Sequence, residues 1–138
     1  LELNKIEKNI QFECIDIREY KKSNYFDIII SNPPYMDDNG KKINENEHKA
    51  ISRHEIKLSL SELISNAKRL LKPIGLLFFI HRTHRLVEII KALDKNNFSV
   101  KKIIFIYSAR NNKSTMVFVE AIKGKKVKLE IQNYYIYH

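Results

Sequence analysis

Phe26-Asp27-Ile28-Ile29-Ile30-Ser31-Asn32-Pro33-Pro34-Tyr35 is the stretch on which the fold turns. Its first half is a β-branched, nearly continuous apolar run, which predicts a strand buried on both faces and favours a parallel sheet. Its second half stops that strand. Two prolines remove two backbone donors and fix two φ angles, so a ladder cannot continue through them. Downstream, residues 36–54 are polar and charged and read as a long loop or lid. Ile56, Leu60, Leu63, Ile64, Ala67, Leu70 and Leu71 form a helical stripe, with Ser59 or Ser61 able to re-cap it and Pro73 and Gly75 ending it. Leu76 to Ile80 reads as a second buried strand, and Arg82 to Asn96 as a second helix. Val100 to Tyr107 and Thr115 to Ile122 read as an antiparallel pair, and Leu129 to Tyr137 as a last extended segment. Upstream, Ile10 to Ile17 alternates and predicts a strand, preceded by the end of a helix. The order is that of an α/β fold with one domain over 1–138.

In open α/β sheets the ligand crevice lies at the carboxyl ends of the strands, which is where Asn32 to Tyr35 falls. The residue types suggest a chemistry. An exocyclic amine conjugated to a ring is a poor nucleophile because its lone pair is delocalised. Two acceptors that take its hydrogens localise that pair on nitrogen. The Asn32 side-chain oxygen is one acceptor; the Pro33 carbonyl, held by the proline pair, is the other. Tyr35 offers a face on which a base stacks, worth about 1–3 kcal/mol. The competing interpretation of the four residues is a plain strand-ending turn with a surface tyrosine.

Composition narrows the function classes. Of 138 residues, 43% are apolar, enough for a core, and no apolar run approaches a bilayer span. One cysteine, Cys14, excludes an intrachain disulfide and suits a reducing, cytoplasmic setting. The net charge of +9 is uneven: residues 1–60 carry −1 and residues 61–138 carry +10. A basic half suggests a polyanion such as nucleic acid, against the bland alternative of a lysine-rich soluble surface. His48, His54, His81 and His84 lack ligand spacing, so no metal is expected. Lys101, Lys102, Lys123, Lys125, Lys126 and Lys128 suit either phosphate tracking or edge-strand protection.

With these residues in view, the chain resembles the class I S-adenosylmethionine-dependent methyltransferases that carry Asn-Pro-Pro-Tyr. The narrower resemblance is to the bacterial tRNA adenine-N6 methyltransferases that modify the adenine beside the anticodon of a valine tRNA. It rests on Ser31 to Tyr35, on Glu47 to Glu55 with its Arg53-His54-Glu55 run, on His81-Arg82 with Arg85-Leu86, and on Phe118-Val119-Glu120. The resemblance implies a Rossmann-like sheet with an antiparallel C-terminal strand pair. It implies S-adenosylmethionine as cofactor, with Asp16 and Ile17 at its adenine and Asn32 beside it. Asn32, Pro33, Pro34 and Tyr35 become the catalytic set, and tRNA the partner, met by Arg53, His54, Arg82 and Arg85. Leu70-Leu71-Lys72-Pro73-Ile74-Gly75 matches a turn that in the family is usually Leu-Lys-Pro-Gly-Gly; Ile74 departs from it. Gln132-Asn133 departs from a usual proline pair.

The family holds its cofactor with a glycine-rich loop after the first strand, whereas this chain has only Gly40, Gly75 and Gly124. The resemblance therefore implies the C-terminal portion of one methyltransferase domain, without the first β-α-β unit, on the order of 50 residues. Such a piece is expected to show unpaired strand edges, weak cofactor binding and self-association. Two other functions fit the same residues. One is methylation of another planar amine, a release-factor glutamine or an rRNA guanine. The other is a non-catalytic RNA-binding fragment.

Overall fold

A computed structural model describes residues 9–33, 58–110 and 112–137. The elements are β1 (Phe26–Ser31), α1 (Leu60–Leu70), β2 (Leu71–Arg82), a 3-10 turn (Thr83–Arg85), α2 (Leu86–Lys95), β3 (Phe98–Tyr107), β4 (Met116–Lys123) and β5 (Glu130–Tyr135). They form a mixed sheet in the order β1-β2-β4-β3-β5. β1 lies parallel to β2, β4 is antiparallel to both β2 and β3, and β5 is parallel to β3.

The β1-α1-β2 crossover places α1 on one face of the sheet, and α2 joins it there. Leu60, Ile64 and Ala67 of α1 and Ile89 and Leu93 of α2 bury against Leu77 and Phe79 of β2, Val117, Val119 and Ala121 of β4, and Ile103 of β3. The strand register accounts for this selection. Leu77 pairs with Ala121, Phe79 with Val119 and His81 with Val117, so all six point to the helix side. α1 begins at a capping box: Ser59 Oγ accepts from the Glu62 N–H and Glu62 Oε2 accepts from the Ser59 N–H. Ile56, the first position of the expected stripe, lies outside the described residues; from Leu60 onward the stripe is buried.

Several expectations are corrected. Residues 10–17 form no strand: no ladder joins them to the free edge of β1, although several of them line the space along it. Ile10, Phe12 and Ile15 are exposed instead. β1 is an edge strand paired only with β2 among the described residues, so Ile28 and Ile30, expected inside, are 52% and 78% exposed. The C-terminal pair is antiparallel as expected, but β4 inserts between β2 and β3 and β5 takes the edge. The second helix starts at Leu86 rather than Arg82, because His81 and Arg82 extend β2 along β4. Pro73 and Gly75 do not end α1. Leu71 is already extended, with φ −74° and ψ 140°.

Lys72 to Gly75 form a bulge instead. Phe26 pairs with Leu71, but Ile28 pairs with Leu76, which leaves extra residues on β2. Ile74 sits there with φ 64°, a left-handed conformation that is costly for a β-branched residue. A Cβ on Gly75 would come within 2.9 Å of both Leu71 Cδ2 and the Lys72 carbonyl oxygen. Ile74 is 59% exposed, so its side chain contributes little burial. Ile74→Gly is therefore expected to stabilise the protein by about 1 kcal/mol through relief of strain. A rise in the urea midpoint tests this; a fall would show that the bulge relies on the Ile74 side chain.

Candidate active site

Asn32 and Pro33 follow β1 directly. The parallel register sets Ser31 opposite Phe79, so Asn32 and Pro33 stand level with Ile80 and His81 at the carboxyl end of β2. Asn32 is exposed and Pro33 is buried. The strand thus ends in an exposed asparagine followed by a buried proline. Pro34 and Tyr35 lie outside the described residues, as do Arg53 and His54.

β2 then turns sharply. The Thr83 N–H donates to the Thr115 carbonyl at 3.1 Å, and the Thr83 and Ser114 hydroxyls lie 3.2 Å apart. Ser114 Oγ also donates to the Ile106 carbonyl at 3.0 Å. These contacts stitch the 3-10 turn to the connection between β3 and β4. The turn carries His84 and Arg85 and follows Arg82, and the connection carries Arg110 and Lys113. This end of the sheet is cationic, with Glu88 engaged by Arg85 Nε at 2.8 Å. That pairing holds the Glu88 carboxyl below its usual range.

His81 is 3% exposed, and its Nδ1 accepts the Arg82 N–H at 2.9 Å. Burial first, and then the Arg85 cation, push its pKa below the ordinary histidine value of 6.5. The neutral imidazole is therefore the native form. A depressed folded pKa contributes stability that is full above about 6.5 and is lost as pH falls through the folded value. His81→Gln is expected to flatten the loss of Tm on acidification below that point. An unchanged slope would place the acid sensitivity elsewhere.

Asp16 and Ile17 occupy a turn rather than a strand end. The Asp16 carboxylate accepts from the Arg18 N–H at 2.9 Å, from Nε at 3.0 and 3.1 Å, and from Nη2 at 2.7 Å. These hydrogen bonds hold its pKa below the usual carboxylate value. Arg18 Nη1 reaches Glu62 Oε1 at 3.2 Å. Arg69, near the other end of α1, donates to the carbonyls of Ile17, Tyr20 and Lys22. The segment 16–22 is thus strapped along α1. The helix is 11 residues long, about 16 Å at 1.5 Å per residue. Its last residues adjoin the start of β1, where the Tyr25 N–H donates to the Leu70 carbonyl. Its first turn, with Asp16 beside it, therefore lies toward the end of the sheet that carries Asn32. Asn32, Pro33 and Arg82 share that end of the sheet with the turn that carries Arg85, while Asp16 is tied to α1 through Arg18. Arg18 had no sequence signal beyond its place two residues after a carboxylate.

A groove of about 480 Å³ runs along the free edge of β1, lined by Ile15, Ile17, Tyr20, Tyr25, Ile28 and Ile30 among others. Its lining stops at Ile30 and does not include Asn32. It is the space beside the outer edge of β1, which has no strand partner among the described residues, not the crevice at the end of that strand. Among the described residues no helix is long and apolar enough to cross a membrane.

The model of the Eco57I restriction-modification methylase family matches residues 2–118, most of the chain. The chain belongs to that family. Among solved structures it is similar to a predicted O-methyltransferase from Agrobacterium tumefaciens, with TM-score 0.60 and 23% identity over 83% of this chain and 44% of that one. It also matches M1.HpyAVI, with TM-score 0.49 and 21% identity over 78% of this chain and 52% of that one. A putative class I S-adenosylmethionine-dependent methyltransferase from Listeria monocytogenes matches with TM-score 0.49 and 22% identity over 81% and 37%. No curated protein matches the chain. The α/β sheet expected from the class I resemblance is the fold observed. The chain spans between 37% and 52% of the length of these structures.

The residues present fit one end of an S-adenosylmethionine molecule. The Asp16 carboxylate is an acceptor, with a side chain 19% exposed, suited to an amine on a purine ring. Asn32 is exposed where β1 ends.

Proposed function

We propose that the protein is an S-adenosylmethionine-dependent adenine-N6 methyltransferase acting on tRNA, at the adenine beside the anticodon of a valine tRNA. The observation that carries this reading is the exposed Asn32 followed by the buried Pro33 at the carboxyl end of β1. Family membership supports methyl transfer. The cofactor supplies an electrophilic methyl group when bound. The chain's own part is orientation. The target adenine leaves its stack to reach the site. The Asn32 side-chain oxygen and the Pro33 carbonyl accept the two hydrogens of its amine, so the nitrogen lone pair points toward the methyl donor. The proton leaves after the nitrogen has gained its fourth bond, which requires no dedicated base. Asp16 and Ile17 serve the adenine of the cofactor. Arg82 and Arg85, with Arg53 and His54, meet tRNA phosphates, and the +10 charge of residues 61–138 raises the local concentration of the polyanion.

The family's restriction-modification description favours a second reading, in which the adenine belongs to DNA. The test supplies labelled S-adenosylmethionine and the full-length protein with tRNA, duplex DNA or a release factor, and then analyses the products. N6-methyladenosine formed in tRNA, and absent for Asn32→Ala, is the expected result. Label in DNA or on a glutamine amide would replace the tRNA assignment with the corresponding substrate. tRNA binding without turnover, equal for both proteins, would leave a binding module.

A further inference from the structure

The Asp16 carboxylate is not simply available to a ligand. An ionised carboxylate has about four acceptor sites. Three hydrogens occupy them here: the Arg18 backbone N–H on Oδ1, the Nε–H shared between Oδ1 and Oδ2, and an Nη2–H on Oδ2. These make four contacts from three donors, two on each oxygen with one hydrogen shared, so the carboxylate has capacity for one further donor, and its side chain is still 19% exposed. The same guanidinium extends Nη1 to Glu62 Oε1 at 3.2 Å. Glu62 is itself fixed by the capping box: its Oε2 receives the Ser59 N–H and hydroxyl, both at 2.8 Å. The carboxylate is therefore hung from the first turn of a helix whose stripe is buried in the core.

We propose that Arg18 is a positioning residue that makes Asp16 an acceptor selective for the adenine of the cofactor. This rests on the assignment of Asp16 to that adenine. A bidentate guanidinium fixes the plane of the carboxylate as a lysine point charge does not. Held in that plane, with capacity for one further donor, Asp16 accepts the exocyclic amine of adenine. It meets the ring carbonyl of hypoxanthine with a lone pair against a lone pair. Arg18 thus acts on the choice of base through the orientation of Asp16, without touching the ligand.

The test is binding of S-adenosylhomocysteine and S-inosylhomocysteine to the full-length protein by calorimetry, which needs no turnover. The wild type is expected to prefer the adenine form by about 100-fold, since a site built for a hydrogen-bond donor discriminates strongly against its absence. Arg18→Met should lower that ratio about tenfold, mainly by weakening the adenine form. Arg18→Lys, which keeps the charge and loses the fork, should fall between. A merely structural role would weaken both ligands equally and leave the ratio intact. An unchanged ratio in both Arg18 variants, with the ratio abolished in Asp16→Asn, overturns the role of Arg18 and leaves the Asp16 assignment standing. An unchanged ratio in Asp16→Asn removes the assignment itself, and the proposal with it.

Discussion

Replacing Asn32 by alanine is expected to lower methyl transfer on the order of 10²- to 10³-fold while leaving binding of the methyl donor within a few-fold. The magnitude follows from losing one preorganised polar partner of the reacting group at the transition state, about 2.7–4 kcal/mol in comparable sites. Without the side-chain oxygen, the Pro33 carbonyl alone accepts from the amine and the lone pair stays partly in the ring. Asn32→Asp is the sharper variant. It keeps the acceptor and the size but adds a charge, so it should retain more activity than alanine. Single-turnover rates with saturating substrate distinguish this loss from weaker binding. Wild-type rates in both variants would mean that the amide at the end of β1 is not at the reacting nitrogen.

Phe79→Ala is expected to cost about 3–5 kcal/mol of stability, a large share of the ~5–15 kcal/mol by which domains are folded. Phe79 is 1% exposed and lies where α1, α2, β2 and β4 meet. Its neighbour Phe78 points to the opposite face, is part-buried, and stacks on Phe118 at 5.9 Å between centroids. Phe78→Ala should cost clearly less. Urea unfolding of the two variants checks the difference. Equal losses would mean that the helical layer is not centred on the Phe79 face.

The places of several candidate residues along the chain's elements were legible because their signals are local. Two prolines after an apolar run end a strand whatever surrounds it, so Asn32 had to follow β1. The cations at Arg82 and Arg85 lie just after another apolar run and were placed at the same end for the same reason. A serine cap near Ser59 or Ser61 was legible as well, and the paired bonds with Glu62 decide for Ser59. The misjudged stretch 10–17 has as clear an alternation as any strand in the chain, but alternation describes only which way side chains face. A strand also needs a ladder for its N–H and C=O groups, and none forms between this stretch and the free edge of β1. The isoleucines of β1 misled in the same manner, since a run suited to burial on two faces is exposed on whichever face lacks a layer.

What the amino-acid order determined alone is the set of local conformations: where helices begin, where the first strand stops, and which side chains share a face. Those follow from backbone sterics, missing donors and side-chain period, all acting within a few residues. Only the tertiary structure decided that β4 lies between β2 and β3. The same holds for the burial of His81 as a neutral imidazole and for the bond from Arg18 to a glutamate 44 positions away. Hydrogen bonding between strands and contact between charges depend on distance in space, and distance along the chain carries almost no record of it.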